Sequence, residues 1–188
     1  MFIELQANLP PPTRRTHRFS AWKGGGEALR VCQAYVTKPQ PPFLTLVGVP
    51  GLGKTHLALA IAWEWIEKRR TQPLYYQVEA FLEKIRHGYD HGGNGSTGWE
   101  PAPDALLDFA KRVPLLVLDD LGVEAKTEWA VAKLDDLVDH RYINQMATVF
   151  TTNKLVKMLP DRIADRMWEG RIVTLEGESY RRKRGRSH

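Results

Sequence analysis

The chain has 188 residues, 43% apolar and 26% charged, which suits one domain with a sizeable core and leaves too little for two. Its apolar runs fall far short of a bilayer span and its N-terminus lacks the basic-then-apolar layout of a secretion signal, so no membrane segment is predicted and the cytoplasm is the expected location. The net charge of +5 is concentrated at one end: five of the 27 basic residues are Arg181, Arg182, Lys183, Arg184 and Arg186, and the other 22 match the 22 acidic ones.

In chain order, residues 1–17 carry Pro10-Pro11-Pro12 and Arg14-Arg15 and read as an extended arm. A short helix is predicted over Glu27 to Val36. It holds Cys32, the only cysteine, which excludes an intrachain disulfide and reads as a small buried hydrophobe. Lys38-Pro39-Gln40-Pro41-Pro42 stops that helix and leads into an apolar strand, Phe43 to Val47. A helix from Thr55 to Lys68 follows. Further strands are predicted at Pro73 to Val78, Val113 to Asp120, Ala147 to Thr152 and Arg171 to Leu175. Helices are predicted at Ala80 to His87, Ala105 to Lys111, Glu128 to Asn144 and Pro160 to Glu169. The Glu128 segment is amphipathic through Trp129, Leu134, Leu137 and Val138. Gly88 to Asp104, with five glycines and two prolines, reads as a mobile surface loop. Five strands alternating with helices predict a three-layer α/β domain with a mainly parallel sheet.

Gly48 to Thr55 fits the phosphate-binding pattern G-x-x-x-x-G-K-T, between a predicted strand and a predicted helix. Gly51 and Gly53 bend the backbone so that its N–H groups curl around phosphate at a helix N-terminus. Lys54 is placed to reach the β- and γ-phosphates, and the Thr55 hydroxyl to bind Mg²⁺. Two more polar sites follow strands of the same sheet, where ligands collect. Asp119 is a candidate Mg²⁺ ligand through water. Asp120 is a candidate for polarising an attacking water, or is a turn aspartate at the strand exit. Asn153 is placed to bond that water or the γ-phosphate. Arg162 and Arg166 share a helix face and suit a phosphate site, or else pair on the surface with Asp161 and Asp165.

Gly48–His56 with Leu57-Ala58, Leu115–Gly122, Thr127–Ala130, Thr151-Thr152-Asn153, Asp161–Met167 and Gly177–Arg181, in this order, closely resemble AAA+ ATPases of the bacterial helicase-loader and IstB-like family, the DnaC/DnaI type. The resemblance runs from about Arg18 to Arg182. It implies an AAA+ core over residues 18–180 without a separate C-terminal lid, and a basic tail over 181–188. It implies ATP and Mg²⁺ binding at Gly48, Gly51, Gly53, Lys54, Thr55 and His56, with metal at Thr55 and Asp119. Asp119 and Asp120 match Walker B and Asn153 matches sensor I. Arg166 matches an arginine finger reaching a neighbouring subunit's nucleotide, so self-association is expected, and Arg181 matches the sensor II arginine. Asp120 stands where many of these proteins carry Glu, and its shorter carboxylate predicts slow hydrolysis. Only about forty residues precede the first strand, too few for the N-terminal domain with which loaders grip the helicase.

The expected partners are single-stranded DNA and either a replicative helicase or a transposase. Lys84, Arg86 and Tyr89 suit a backbone-tracking, base-stacking surface, although Lys84 and Arg86 also read as a solvated helix face. The basic tail suits an anionic partner or solubility alone.

Overall fold

Five apolar runs become strands: Phe43–Val47 (β1), Leu74–Gln77 (β2), Leu115–Leu121 (β3), Ala147–Thr152 (β4) and Arg171–Thr174 (β5). They form one sheet in the order β2-β3-β4-β1-β5, parallel throughout. The structure, a computed structural model, describes residues 9–10, 13–90, 103–122 and 127–177. A parallel sheet is covered on both faces, so its strands carry apolar side chains on both sides instead of alternating. Every residue of β1 and β4 is accordingly buried.

The covering helices are Thr13–Thr16 (α1), Gly26–Thr37 (α2), Lys54–Arg69 (α3), Val78–Asp90 (α4), Pro103–Arg112 (α5), Glu128–Ile143 (α6) and Asp161–Trp168 (α7). On one face α2 and α3 pack Val36, Leu57 and Ile61 against Leu44, Leu46, Val117 and Val149. On the other, α4 to α7 pack Phe81, Leu107, Leu134 and Ile163 against Phe43, Leu116, Leu118 and Phe150. Residues 57–62 of α3 are buried without interruption, because α2 and the N-terminal segment cover the side of this helix that faces away from the sheet. Trp63 Nε1 donates to Thr13 Oγ1 at 3.0 Å, tying α1 onto α3. Cys32 is wholly buried and its thiol is pushed up to about 12 by that burial. No described helix is long and apolar enough to cross a membrane.

Among the described residues the largest fully buried side chain is a charged one. Arg141 of α6 is fully buried and donates to the carbonyls of Ala110, Lys111 and Val113 behind α5, to Ala147 O and to Thr148 Oγ1. It joins α5, α6 and β4, and at the C-terminal end of α5 it takes up carbonyls that a helix end leaves without intrahelical partners. Burial pushes its guanidinium down to about 10, still charged at neutral pH.

Several sequence boundaries shift. α4 continues through Asp90 and α5 begins at Pro103, so both flanks of the expected 88–104 loop are helical; 91–102 lie outside the described residues. Of the expected extended arm, Thr13–Thr16 forms a helical turn and Leu9 is buried. β2 gives way to α4 at Val78.

The chain leaves β1 through α3 for the far edge at β2, returns through β3 and β4, and then passes β1 to reach β5. That reversal puts a crevice at the carboxyl ends of the central strands, where open α/β sheets take their ligands.

Candidate functional site at the carboxyl edge of the sheet

A cleft of about 930 Å³ opens there, lined by Pro50, Gly51, Gly53, Lys54, Thr55 and His56 from the loop and helix after β1. Gln77, Asp119, Asp120, Thr151 and Asn153 complete it from the ends of β2, β3 and β4. The loop needs its glycines for distinct reasons. A Cβ on Gly48 would stand 2.8 Å from the carbonyl oxygen of Leu175. Gly53 caps α3 in the left-handed region, φ 89°, and a Cβ there would stand 2.5 Å from the Trp22 ring. Lys54, almost fully buried, donates from Nζ to Gly48 O at 2.6 Å and to Val49 O at 3.1 Å. The loop thus wraps its own ammonium, with the α3 N-terminus directed into the cleft.

Asp119 is 1% exposed. Its carboxylate accepts from Thr55 Oγ1 at 3.1 Å to each oxygen, from Thr151 Oγ1 at 2.6 Å and from the Tyr75 hydroxyl at 2.8 Å. Burial first, then the Asp119 charge, pushes the Tyr75 phenol far above its ordinary value, which keeps it a donor. Asp120 follows in the left-handed region at φ 62°, where the β3–β4 register shifts between Leu118 and Leu121. Consecutive strand residues point to opposite faces; the bulge re-aims Asp120 so that both carboxylates line one cleft. Thr151 holds that turn by accepting from Asp120 N at 2.8 Å. Asn153 Nδ2 donates to Asp120 Oδ1 at 2.6 Å.

A carboxylate and a threonine hydroxyl supply hard oxygen donors, the chemistry that suits Mg²⁺. Among the described residues no group of three or more His, Cys, Asp or Glu side chains could hold a metal. A small protein donor set fits an ion that keeps most of its water and takes phosphate oxygens.

The N-terminal segment forms the other wall with Thr16, His17, Ala21, Trp22 and Lys23, none of which belongs to a sequence motif. The His56 ring lies 5.0 Å from His17 and 5.7 Å from Trp22, and its Nε2 donates to Arg18 O at 3.0 Å. Burial, and secondarily His56, lowers the His17 pKa. The only signal in the sequence was the aromatic and histidine content just before the helix at Glu27, which carries no motif spacing.

Arg166 is not among the lining residues. On α7 it pairs with Asp139 at 3.1 Å and Glu169 at 3.3 Å, and lies 4.3 Å from the centroid of the Tyr142 ring. Arg162 reaches the same Asp139 at 3.4 Å. The expected partners Asp161 and Asp165 are thereby replaced by a carboxylate of α6 and by Glu169. Arg181 and the basic tail lie outside the described residues, as does the Tyr89 side chain. Lys84 and Arg86 are exposed on α4, where Glu79 and Glu83 are exposed too.

A family model described as IstB-like ATP binding protein matches residues 28–188. The chain belongs to this family. This IstB-like chain is 29% identical over 140 residues to the replicative helicase loader DnaC of Escherichia coli strain K12, a match covering 71% of the chain and 54% of DnaC. It spans about half the length of that relative. The crystal structure of the DnaC helicase loader superposes with a TM-score of 0.72 at 23% identity, over 87% of this chain and 98% of that one. Replication initiator DnaA bound to AMPPCP and single-stranded DNA superposes at 0.76 and 18% identity, over 91% and 52%. These likenesses give the fold: an AAA+ P-loop core.

Proposed function

We propose that this IstB-like chain binds ATP with Mg²⁺ in the cleft, hydrolyses it slowly, and acts as a DNA-associated adaptor in loading a replicative helicase. The observation that carries the reading is the joining of Lys54, Thr55, Asp119, Asp120 and Asn153 in one cleft at the ends of β1, β3 and β4. Lys54 and the backbone N–H groups of Gly51 and Gly53 hold the phosphates. Trp22, His17 and His56 offer rings for the nucleoside end. Thr55 and Asp119 would hold Mg²⁺, which would supply positive charge against the phosphates.

Asn153 engages one oxygen of Asp120 and leaves the other to draw a proton from water. The water oxygen attacks the γ-phosphorus, the bond to the β-phosphate oxygen breaks, and ADP and inorganic phosphate leave. Arg166 acts in a neighbouring copy. Its place on the α6–α7 surface, away from the lining of its own cleft, supports a role in trans, where a cation stabilises charge on the transferred group. Lys84 and Arg86 are the proposed DNA contacts on α4.

The IstB-like family match favours a second reading, a transposition helper that selects target DNA. ATP turnover and oligonucleotide binding by wild type and Lys54→Ala test both. Turnover abolished by Lys54→Ala, with single strands preferred and affinity falling steeply with salt, is expected for the adaptor. A preference for duplex supports the helper. Equal turnover in the two proteins overturns the nucleotide site.

A further inference from the structure

Asp119 carries a contact that the phosphate loop does not supply. β2 pairs with β3 so that Gln77 stands opposite Asp119 and Tyr75 opposite Val117. Residues two apart on a strand share a face, so Tyr75 stands diagonally behind Asp119, within reach of a long aromatic side chain. Tyr75 is 7% exposed and its hydroxyl donates to Asp119 Oδ2 at 2.8 Å. From the other neighbouring strand, Thr151 Oγ1 donates to Oδ1 at 2.6 Å. The Thr55 hydroxyl has one proton and lies 3.1 Å from both oxygens. It is therefore shared, whereas Tyr75 and Thr151 each hold one oxygen.

Two donors from β2 and β4 thus set the rotation of a carboxylate on β3. Phenylalanine would fill the Tyr75 site equally well. A buried phenol costs stability unless it finds an acceptor, and the acceptor here is the cleft's buried carboxylate. We propose that Tyr75 is a positioning residue that sets the divalent-cation dependence of this site, by holding Asp119 with one edge turned to Thr55. The proposal rests on the nucleotide and magnesium reading above. Partners behind a metal-associated carboxylate orient it, and their loss typically weakens metal affinity or activity by roughly 10–100-fold.

The test is Tyr75→Phe in the whole chain, read by equilibrium binding of a fluorescent ATP analogue across a Mg²⁺ titration, with a thermal melt of the nucleotide-free protein. The variant keeps the ring and loses only the hydroxyl. The expected result is a Mg²⁺ midpoint raised about 10-fold, with magnesium-free nucleotide binding unchanged and the melting temperature only modestly lowered by the lost buried hydrogen bond. Tyr75→Leu, which removes ring and hydroxyl, should show the same Mg²⁺ shift and melt earlier than Tyr75→Phe. A wild-type midpoint in Tyr75→Phe overturns the proposal. So does loss of magnesium-free binding in that variant, which would assign the hydroxyl to maintaining the fold. If wild-type binding ignores Mg²⁺ altogether, the magnesium reading itself fails, a result distinct from either.

Discussion

Asn153 and Asp120 meet across the ends of adjacent strands, the amide nitrogen donating to one carboxylate oxygen at 2.6 Å. The bond orients a carboxylate that is exposed and has left regular strand geometry. Asp120→Asn is expected to slow ATP turnover by about 100-fold, the scale of a lost general base, with nucleotide affinity retained. Asn153→Ala should slow it less, roughly 10-fold, because water can still reach Asp120. Steady-state turnover beside equilibrium nucleotide binding checks both, and a parallel loss of affinity would assign the pair to binding instead.

Trp22 lies against Gly53, so nucleotide entering the loop would change the surroundings of its indole. Tryptophan emission should shift when ATP is added to wild type and lose most of that shift in Trp22→Phe. An undiminished change in the variant would locate the signal in one of the other tryptophans.

Arg166 is held by Asp139, Glu169 and Tyr142 within its own chain. If it completes a neighbour's cleft, turnover per chain rises with protein concentration in wild type and stays flat in Arg166→Ala. Sedimentation run alongside separates failed assembly from failed catalysis. Turnover in Arg166→Ala that matches wild type where wild type self-associates would remove the residue from the reaction.

Arg141 satisfies carbonyls behind α5 that water cannot reach. Arg141→Met should destabilise the fold by about 3 kcal/mol or more, since breaking a buried charged network strands its partners. Arg141→Lys should rescue little, because a single ammonium nitrogen cannot span the acceptors the guanidinium joins. Chemical denaturation measures both.

His17 is a base whose pKa is lowered in the fold, by burial first and by His56 second. Its unfolded form binds a proton more readily, so its contribution to stability is complete above about pH 6.5 and is lost as pH falls through the lowered value. Melting temperatures at pH 7.5 and 5.5 should differ more in wild type than in His17→Gln. Equal differences would show that His17 does not couple the N-terminal wall to pH.

Much of the site was legible because its chemistry is local. Gly48 to Thr55 is one continuous turn from strand to helix, and Gly48 and Gly53 are demanded by that turn. The double aspartate closing an apolar run was legible for the same reason, although the left-handed bulge that brings both aspartates to one cleft was not. Arg166 was legible as an arginine on a helix face but not in its partners, since Asp139 lies on a different helix. The helical flanks of the 88–104 segment were missed because glycine content outweighed the amphipathic pattern before it.

By itself the sequence determined the order of strands and helices along the chain, the glycine-rich loop ahead of α3 and the two carboxylates that end β3, all written in neighbouring residues and in the spacing of apolar ones. Only the tertiary structure decided that Tyr75 and Thr151 grip Asp119 from two sides, that Trp22 and His17 wall the cleft, and that Arg141 bonds behind α5. Those contacts depend on sheet order and register, which bring together residues whose separation along the chain carries no signal of their meeting.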